Sequence, residues 1–290
     1  MSKELTIVVT NYKTPKILMK CLDLLQKYAL EATIIVVDSD SQDNSVSLCK
    51  EHFPQVKIIE LENHSMGNAA NTGMFAAKTK YIMQMNADVF IAKNTVKDML
   101  AILTQTNVAM VGPRARDKNG RWQNQGLLYK RYHYFLDFSK KPSVSVSWLS
   151  GCCLMIKREM LEHGGFNTIF RFYNEDIEWS YRLKKLGYQC HLVNTEVIHL
   201  GGSSTPDNKN FVIEGYRGGY LLSQMYKPSW YQYFHYQYVL LEASIQSRFA
   251  SSKKKQAYKA IKKMFMAKNF EQSPFGNSLN SQNESFIFFD

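Results

Sequence analysis

Residues 81–88 read YIMQMNAD, an apolar, β-prone run that ends on an acid. The run from Tyr81 to Met85 suits a buried strand, and Asn86-Ala87-Asp88 carries the chain out of it into a loop. Working outward, the same alternation repeats on both sides. Upstream lie a Gly- and Ala-rich helix from about Gly67, a strand at 56–61, a helix at 44–53 stopped by Pro54, and a strand at 33–37 running into Asp38. Before these come a strand at 6–10 and a helix that Thr14 and Pro15 open as N-cap and first position. Leu18, Cys21, Leu22, Leu25 and Tyr28 then recur at helical spacing. Downstream a helix at 95–103 precedes a strand at 108–111. Strands alternating with helices give an α/β fold, with a mostly parallel central sheet flanked by helices. Ligands of such sheets sit beyond the carboxyl ends of the strands, where Asp38, Asn63 and Asp88 fall.

The second half changes character. Asp117 to Gly120 reads as a hairpin turn, strands are expected at 144–148, 154–157 and 189–193, and a helix at 175–186 ends at Gly187. Beyond about Lys209 the sheet pattern stops. An aromatic and basic helical extension over 209–270 follows, then a polar tail over 271–290 with the composition of a flexible segment.

Bulk properties narrow the class. The chain has 290 residues, enough for a full core, and a formal net charge of +11, which favours polyanionic partners: nucleic acid, an anionic membrane surface or phosphorylated substrates. The five cysteines form no CxxC pair and mostly sit in apolar runs, as buried free thiols do. No amino-terminal leader pattern and no run of ~20 apolar residues is present, so the expected location is cytoplasmic, with any membrane met from its inner face. A P-loop and a GxGxxG after the first strand are both missing, which argues against those nucleotide-binding types.

Several positions carry two readings each. Asp88 at a strand end suits a Mg²⁺ or Mn²⁺ ligand bridging two phosphates, or an Asx turn. Asp38 suits a ribose or base contact, or a turn cap. Gly67, Asn71 and Gly73 allow a backbone to approach a ligand, or a helix to pack on the sheet. Glu175-Asp176 follows FRFYN on the first turn of a helix, where the dipole favours the ionised acid and aromatic neighbours oppose it. That balance suits a general base, and acids there also simply stabilise a helix start. His199, after Val197-Ile198, is a core histidine or a metal ligand.

In combination these segments resemble the family 2 glycosyltransferases, in particular the bacterial rhamnosyltransferase-like branch. The stretches concerned are TIVVTNY, VVDSDSQDNS, ENHSMGNAANTG, YIMQMNADV, WLSGCCLMIKREMLEHGGF, YNEDIEWSYRLKKLGY and VIHLGGSS, from about Leu5 to Ser204. The resemblance implies a GT-A fold over 1–208, with a nucleotide-sugar part at about 1–113 and an acceptor part at about 114–208. It implies an inverting, metal-dependent hexosyltransferase that uses Mn²⁺ or Mg²⁺. The donor would be dTDP-rhamnose or a UDP-sugar, and the acceptor a glycan or lipid-linked glycan of an O-antigen or capsule. By match to the family, Thr10, Tyr12 and Asp38 would line the nucleoside pocket, Gly67 and Asn71 the donor loop, and Trp148 and Gly151 the floor of the sugar site. Asp88 would bind the metal with His199, Asn86 stands where the family's DxD motif has its first acid, and Asp176 would be the base with Glu175 in support.

In the extension, Tyr258, Ile261 and Phe265 share a helical face amid lysines. This suits a helix lying on anionic lipid, an ordinary packing helix or a homodimer contact. Two other classes fit these residues less well. A nucleic-acid binder would carry its basic residues on the sheet domain, whereas the densest cluster is C-terminal. A non-catalytic nucleotide- or glycan-binding scaffold would have no need of Asp88, Asp176 and His199 together.

Overall fold

The computed structural model describes residues 4–62, 65–123, 125, 141–201 and 209–275; Asn63 lies outside them. The chain divides into two compact units: residues 1–167 with 176–204, and residues 168–175 with 205–290. The segment 168–175, which precedes the helix carrying Asp176, thus groups with the C-terminal helices.

The first unit holds one sheet of nine strands in the order β3-β2-β1-β4-β8-β6-β9-β5, with β7 also paired to β9. The strands are β1 (Leu5–Asn11), β2 (Thr33–Ser39), β3 (Lys57–Leu61), β4 (Tyr81–Asn86), β5 (Val89–Ile91), β6 (Val108–Arg116), β7 (Ser143–Val146), β8 (Cys153–Lys157) and β9 (Gln189–His199). Between them run α1 (Pro15–Tyr28), α2 (Ser45–His52), α3 (Met66–Ala76), α4 (Thr95–Leu103) and α5 (Glu175–Lys185), and a short 3-10 helix covers Arg158–His163. Side chains of β1 sort by parity, as a pleated strand requires. Leu5, Ile7 and Val9 pack with Leu18, Leu22 and Leu25 of α1 and with Met99 and Leu103 of α4, while Val8 faces Ala69, Ala70 and Met74 of α3 on the other side. A Cβ on Gly73 would come within 2.2 Å of Val8 Cγ1, so this glycine exists to seat α3 on the sheet.

The parallel character expected of the sheet belongs to its first half, where β3, β2, β1 and β4 pair in parallel. In the second half β8 runs antiparallel to β4 and β6, β5 and β7 run antiparallel to β9, and only β6 and β9 are parallel. The sheet is therefore mixed. A strand buried on both faces shows the same apolar run in either direction, so the residues alone did not write its orientation. Strand β5, three residues long, went unpredicted, β6 and β9 extend further than expected, and β7 ends at Val146, short of Trp148. All five cysteines are buried and unpaired with one another.

The second unit is helical: α6 (Lys209–Tyr226), α7 (Ser229–Phe249) and α8 (Ser252–Met266). Its interior holds a charged cluster. Arg217 donates to Glu214 at 2.8 and 2.9 Å, to the Phe270 carbonyl at 2.7 Å and to the Ile169 carbonyl, and Glu214 also accepts from the Arg171 N–H and the Ser273 hydroxyl. Such a pair is tolerable in a core because each charge has its hydrogen bonds. Ala257, Ile261 and Phe265 of α8 are fully buried, and Tyr258 stacks on Tyr216, so this face is a packing face; the lipid-facing reading of it is corrected here. Of the tail expected over 271–290, residues 276–290 lie outside the described set, and Phe275 packs against Phe172 and Phe211. Among the described residues no helix is long and apolar enough to cross a membrane.

Candidate active site

Strand register assembles the site at one edge of the sheet. Thr10 pairs with Asn86 and Asn11 with Asp38, which puts the ends of β1, β2 and β4 side by side. The antiparallel match of Met85 with Cys153 brings the loop before β8 to the same edge, and the Asn86 N–H donates to the Cys152 carbonyl at 2.9 Å. Val89 opposite His199 then sets the histidine next to Asp88.

Asp38 is buried and its carboxylate is fully engaged. It accepts from Asn11 Nδ2 at 2.7 Å, Ser41 N at 2.9 Å and Ser41 Oγ at 2.7 Å. Asn11 was not singled out from the sequence, although it ends β1 inside the TNY motif; its own oxygen accepts from the Thr14 hydroxyl at 2.7 Å. Thr14 is thus the N-cap of α1 by position but turns its hydroxyl back to the strand. Tyr12 is half-buried beside this cluster. The Thr10 hydroxyl donates to Asn86 Oδ1 at 3.2 Å, and Gln84 Nε2 reaches the same oxygen at 3.4 Å. With its oxygen so occupied, Asn86 has its amide N–H groups to donate where the related motif has an acid.

At the other end, Asp88 Oδ1 lies 3.5 Å from His199 Nε2. Gln123 fixes this imidazole. Its Nε2 donates to the His199 carbonyl at 3.0 Å, which leaves its Oε1 against His199 Nδ1 at 2.7 Å. An oxygen there requires the proton on Nδ1, so Nε2 is the nitrogen that faces Asp88, as an N–H when the ring is charged and as a lone pair when it is neutral. Burial opposes the charged ring, but the Cys152 sulfur and then the Asp88 carboxylate outweigh it and push His199 up to about 9. One carboxylate and one imidazole are donors that suit a divalent ion such as Mn²⁺, which would need further ligands from outside the chain. Among the described residues no group of three or more His, Cys, Asp or Glu side chains is arranged to hold an ion alone.

Asp176 sits in the first turn of α5. Its Oδ2 accepts the Gly151 N–H at 2.9 Å and its Oδ1 the Ile177 N–H at 2.8 Å. Burial raises its pKa, partly offset by these backbone bonds. Gly151 packs closely here: a Cβ would stand 3.3 Å from Asp176 Cβ, tight enough to make the acid shift slightly. Asn71 clamps Phe166 from behind, donating to its carbonyl and accepting its N–H, both at 2.8 Å. The Asn71 amide, expected beside the donor, is spent on that clamp. Gly67 is buried in the first turn of α3, whose N-cap Ser65 accepts the Asn68 N–H at 3.2 Å. Trp148 is buried next to Leu149, whose N–H is held by Ser180 Oγ at 3.2 Å. Glu175 is buried, and the two residues before it, Tyr173 and Asn174, have φ of 67° and 72°. Two successive non-glycine residues in the left-handed region mark a locally constrained backbone.

The sheet that carries these residues, with its flanking helices, has the GT-A fold. The sequence model of Glycosyl transferase family 2 matches residues 6–165, more than half of the chain. The chain belongs to that family.

A hexosyltransferase of low-salt glycan biosynthesis, Agl10 of Haloferax volcanii, is 25% identical over 69% of this chain and 68% of its own length. An N-acetylglucosaminyl-diphospho-decaprenol L-rhamnosyltransferase of Mycobacterium tuberculosis is 22% identical over 60% of this chain and 68% of its own. Among solved structures, GalNAc-T7 with UDP, GalNAc and Mn²⁺ superposes with a TM-score of 0.63 at 17% identity, over 91% of this chain and 56% of that one. The mannosyltransferase PcManGT from Pyrobaculum calidifontis, in complex with GDP-Man and Mn²⁺, gives 0.57 at 16% identity, over 91% and 75%. The structural likenesses carry the fold.

Proposed function

We propose that the chain is an inverting, metal-assisted hexosyltransferase. It moves a sugar from a nucleoside diphosphate, dTDP-rhamnose or a UDP-hexose, to a hydroxyl of a glycan or lipid-linked glycan in bacterial surface polysaccharide synthesis. The observation that carries this reading is the two-residue link Gly151-Cys152. The Gly151 N–H holds Asp176, while the Cys152 carbonyl holds Asn86 at the strand end leading to Asp88 and His199. An acid–base group and an anion-handling group on either side of one loop suit a single displacement.

In that reaction Asp176 takes the proton of the acceptor hydroxyl as its oxygen bonds to the anomeric carbon. The bond from that carbon to the diphosphate oxygen breaks on the opposite face. One displacement inverts the centre. Asp88 and His199 Nε2 would hold the ion, Mn²⁺ or Mg²⁺, which would supply positive charge to offset that growing on the diphosphate. The Asn86 amide donates to the same anion. Thr10, Tyr12 and Asp38 border the nucleoside, Asp38 through the rigid Asn11–Ser41 cluster. Gly67, Trp148 and Gly151 border the donor sugar. Glu175 supports Asp176 by anchoring the start of α5. The diphospho-decaprenol acceptor named for the mycobacterial relative supports a lipid-linked acceptor here, reached at the inner face of the membrane. A nucleic-acid partner has no place in this scheme.

The test is a thermal-shift panel of dTDP-rhamnose and UDP-hexoses with Mn²⁺, Mg²⁺ or chelator, followed by donor turnover with the best match. Metal-dependent stabilisation by one nucleotide sugar, with turnover, is the expected outcome. Stabilisation without any hydrolysis or transfer would identify a binding scaffold instead.

A further inference from the structure

Helix α7 contradicts its own composition. It has 21 residues, of which only Val239 and Ala243 are fully buried. Opposite them, Trp230, Phe234, Tyr238, Leu241, Ile245 and Phe249 recur at spacings of three and four and are 47–81% exposed. Monomeric proteins rarely expose so long an apolar face without a partner for it. The helix packed along α7 supplies the second observation. α8 contains no acid, its Ala257, Ile261 and Phe265 point inward, and Lys254, Lys259 and Lys263 stand exposed, with Lys255 and Lys262 partly so.

We infer that the outer face of α7 is a docking surface for an anionic lipid bilayer. α7 lies in the headgroup layer, and the lysines of α8 add attraction to negative headgroups. Aromatic residues with polar tips, such as Trp230 and Tyr238, suit a layer that is apolar on one side and wet on the other. An apolar stripe with the exposed Arg248 at its C-terminal end, beside an acid-free cationic helix, matches the interfacial pattern of apolar burial plus electrostatic attraction. A second copy is the poorer occupant, because pairing through α7 would bring two sets of lysines together with no acid on either α8 to offset them. The inference extends the lipid-linked acceptor reading, since a soluble enzyme must be brought to such an acceptor, but its geometry is independent of the sugar chemistry.

The experiment is flotation of the full chain, without donor or acceptor, on vesicles of phosphatidylglycerol with phosphatidylcholine and on vesicles of phosphatidylcholine alone. The parent should float with the former and markedly less with the latter. The combined variant Trp230→Gln, Phe234→Gln, Leu241→Gln should lose binding by about a hundredfold or more. Its melting temperature should stay at the parent's, because these side chains are already outside the core. Lys259→Gln, Lys262→Gln and Lys263→Gln together should cost about fivefold per lysine, and less in high salt. Flotation of the glutamine variant equal to the parent, or no flotation of the parent, would overturn the proposal. So would a parent dimer that the glutamine variant converts to monomer without vesicles. Loss of glycosyl transfer in the panel above would leave the flotation result standing, so the two readings fail separately.

Discussion

Gln123 holds His199 by both atoms of its amide, the nitrogen on the histidine's carbonyl at 3.0 Å and the oxygen on Nδ1 at 2.7 Å. This bond pair decides which imidazole nitrogen faces Asp88. Outer partners of this kind orient a ligand and set its basicity. Gln123→Ala should weaken Mn²⁺ binding by about tenfold to a hundredfold. Asp88→Ala should abolish metal-dependent donor binding altogether. Titration calorimetry with Mn²⁺, in the presence and absence of nucleotide sugar, measures both, and unchanged affinity in Gln123→Ala would remove its positioning role.

Asp176→Asn keeps the size of the side chain and removes the basic lone pair. Transfer at saturating donor should fall by ~10²-fold or more while donor affinity survives. Glu175→Gln should be milder, because it affects the placement of α5 and not the proton. Rates of both variants, measured beside donor affinity, decide the assignment. A dead Glu175→Gln with an active Asp176→Asn would reverse the two roles.

The raised pKa of Asp176 has two consequences whose signs can be worked out. A base must be ionised, so the acid limb of kcat/KM should lie above the ordinary carboxylate value of 3.8. For stability, a folded-state pKa above the unfolded one means that folding binds the proton more tightly. The fold is therefore favoured at low pH and loses this contribution as pH rises from 3.8 through the raised value. At neutral pH the charged carboxylate is a burden, so Asp176→Asn should melt at or above the parent. A lower melting temperature in the variant at pH 7 contradicts the shift.

Gly151→Ala places a methyl 3.3 Å from Asp176 Cβ and 3.4 Å from Met66 Cε. Asp176 must move by a few tenths of an ångström, and the N–H bond that holds it lengthens. Transfer should drop by about tenfold to a hundredfold with little change in metal or donor affinity. A kcat effect without a KM effect in steady-state kinetics is the signature.

Asn71→Ala leaves the N–H and C=O of Phe166 without their clamp in a buried place. The cost should be about 2 kcal/mol or more in denaturant unfolding. A near-neutral result would show that water replaces the amide.

Most of the first half of the fold was legible, because each strand there is an apolar run ending in a polar residue and each helix has its own spacing. Tyr81–Asn86 and Thr95–Leu103 stand within a residue of their expected places. Strand direction in the second half was not legible, since β6 and β8 carry the same kind of buried run although they are antiparallel to each other. At the site, Asp88, His199 and Asp176 were named from motif and position, and the structure puts Asp88 and His199 side by side. Gln123 and Asn11 were missed because nothing local marks them; Gln123 reaches His199 across 76 positions of chain. Asn71 looked like a ligand contact since an amide near a glycine suits either task, and only its two bonds to Phe166 reveal which one it performs.

In the proposed mechanism Gly151 and Cys152 carry the supports of both halves of the reaction, so the two halves are not to be tuned apart. A substitution that shifts this dipeptide to suit a different donor would also displace Asp176, the proposed base. Changes of sugar preference should therefore accumulate around it, at Thr10, Asn86 and Trp148, and spare the pair itself. For an engineer, residues 151 and 152 are the fixed axle about which a library should be built.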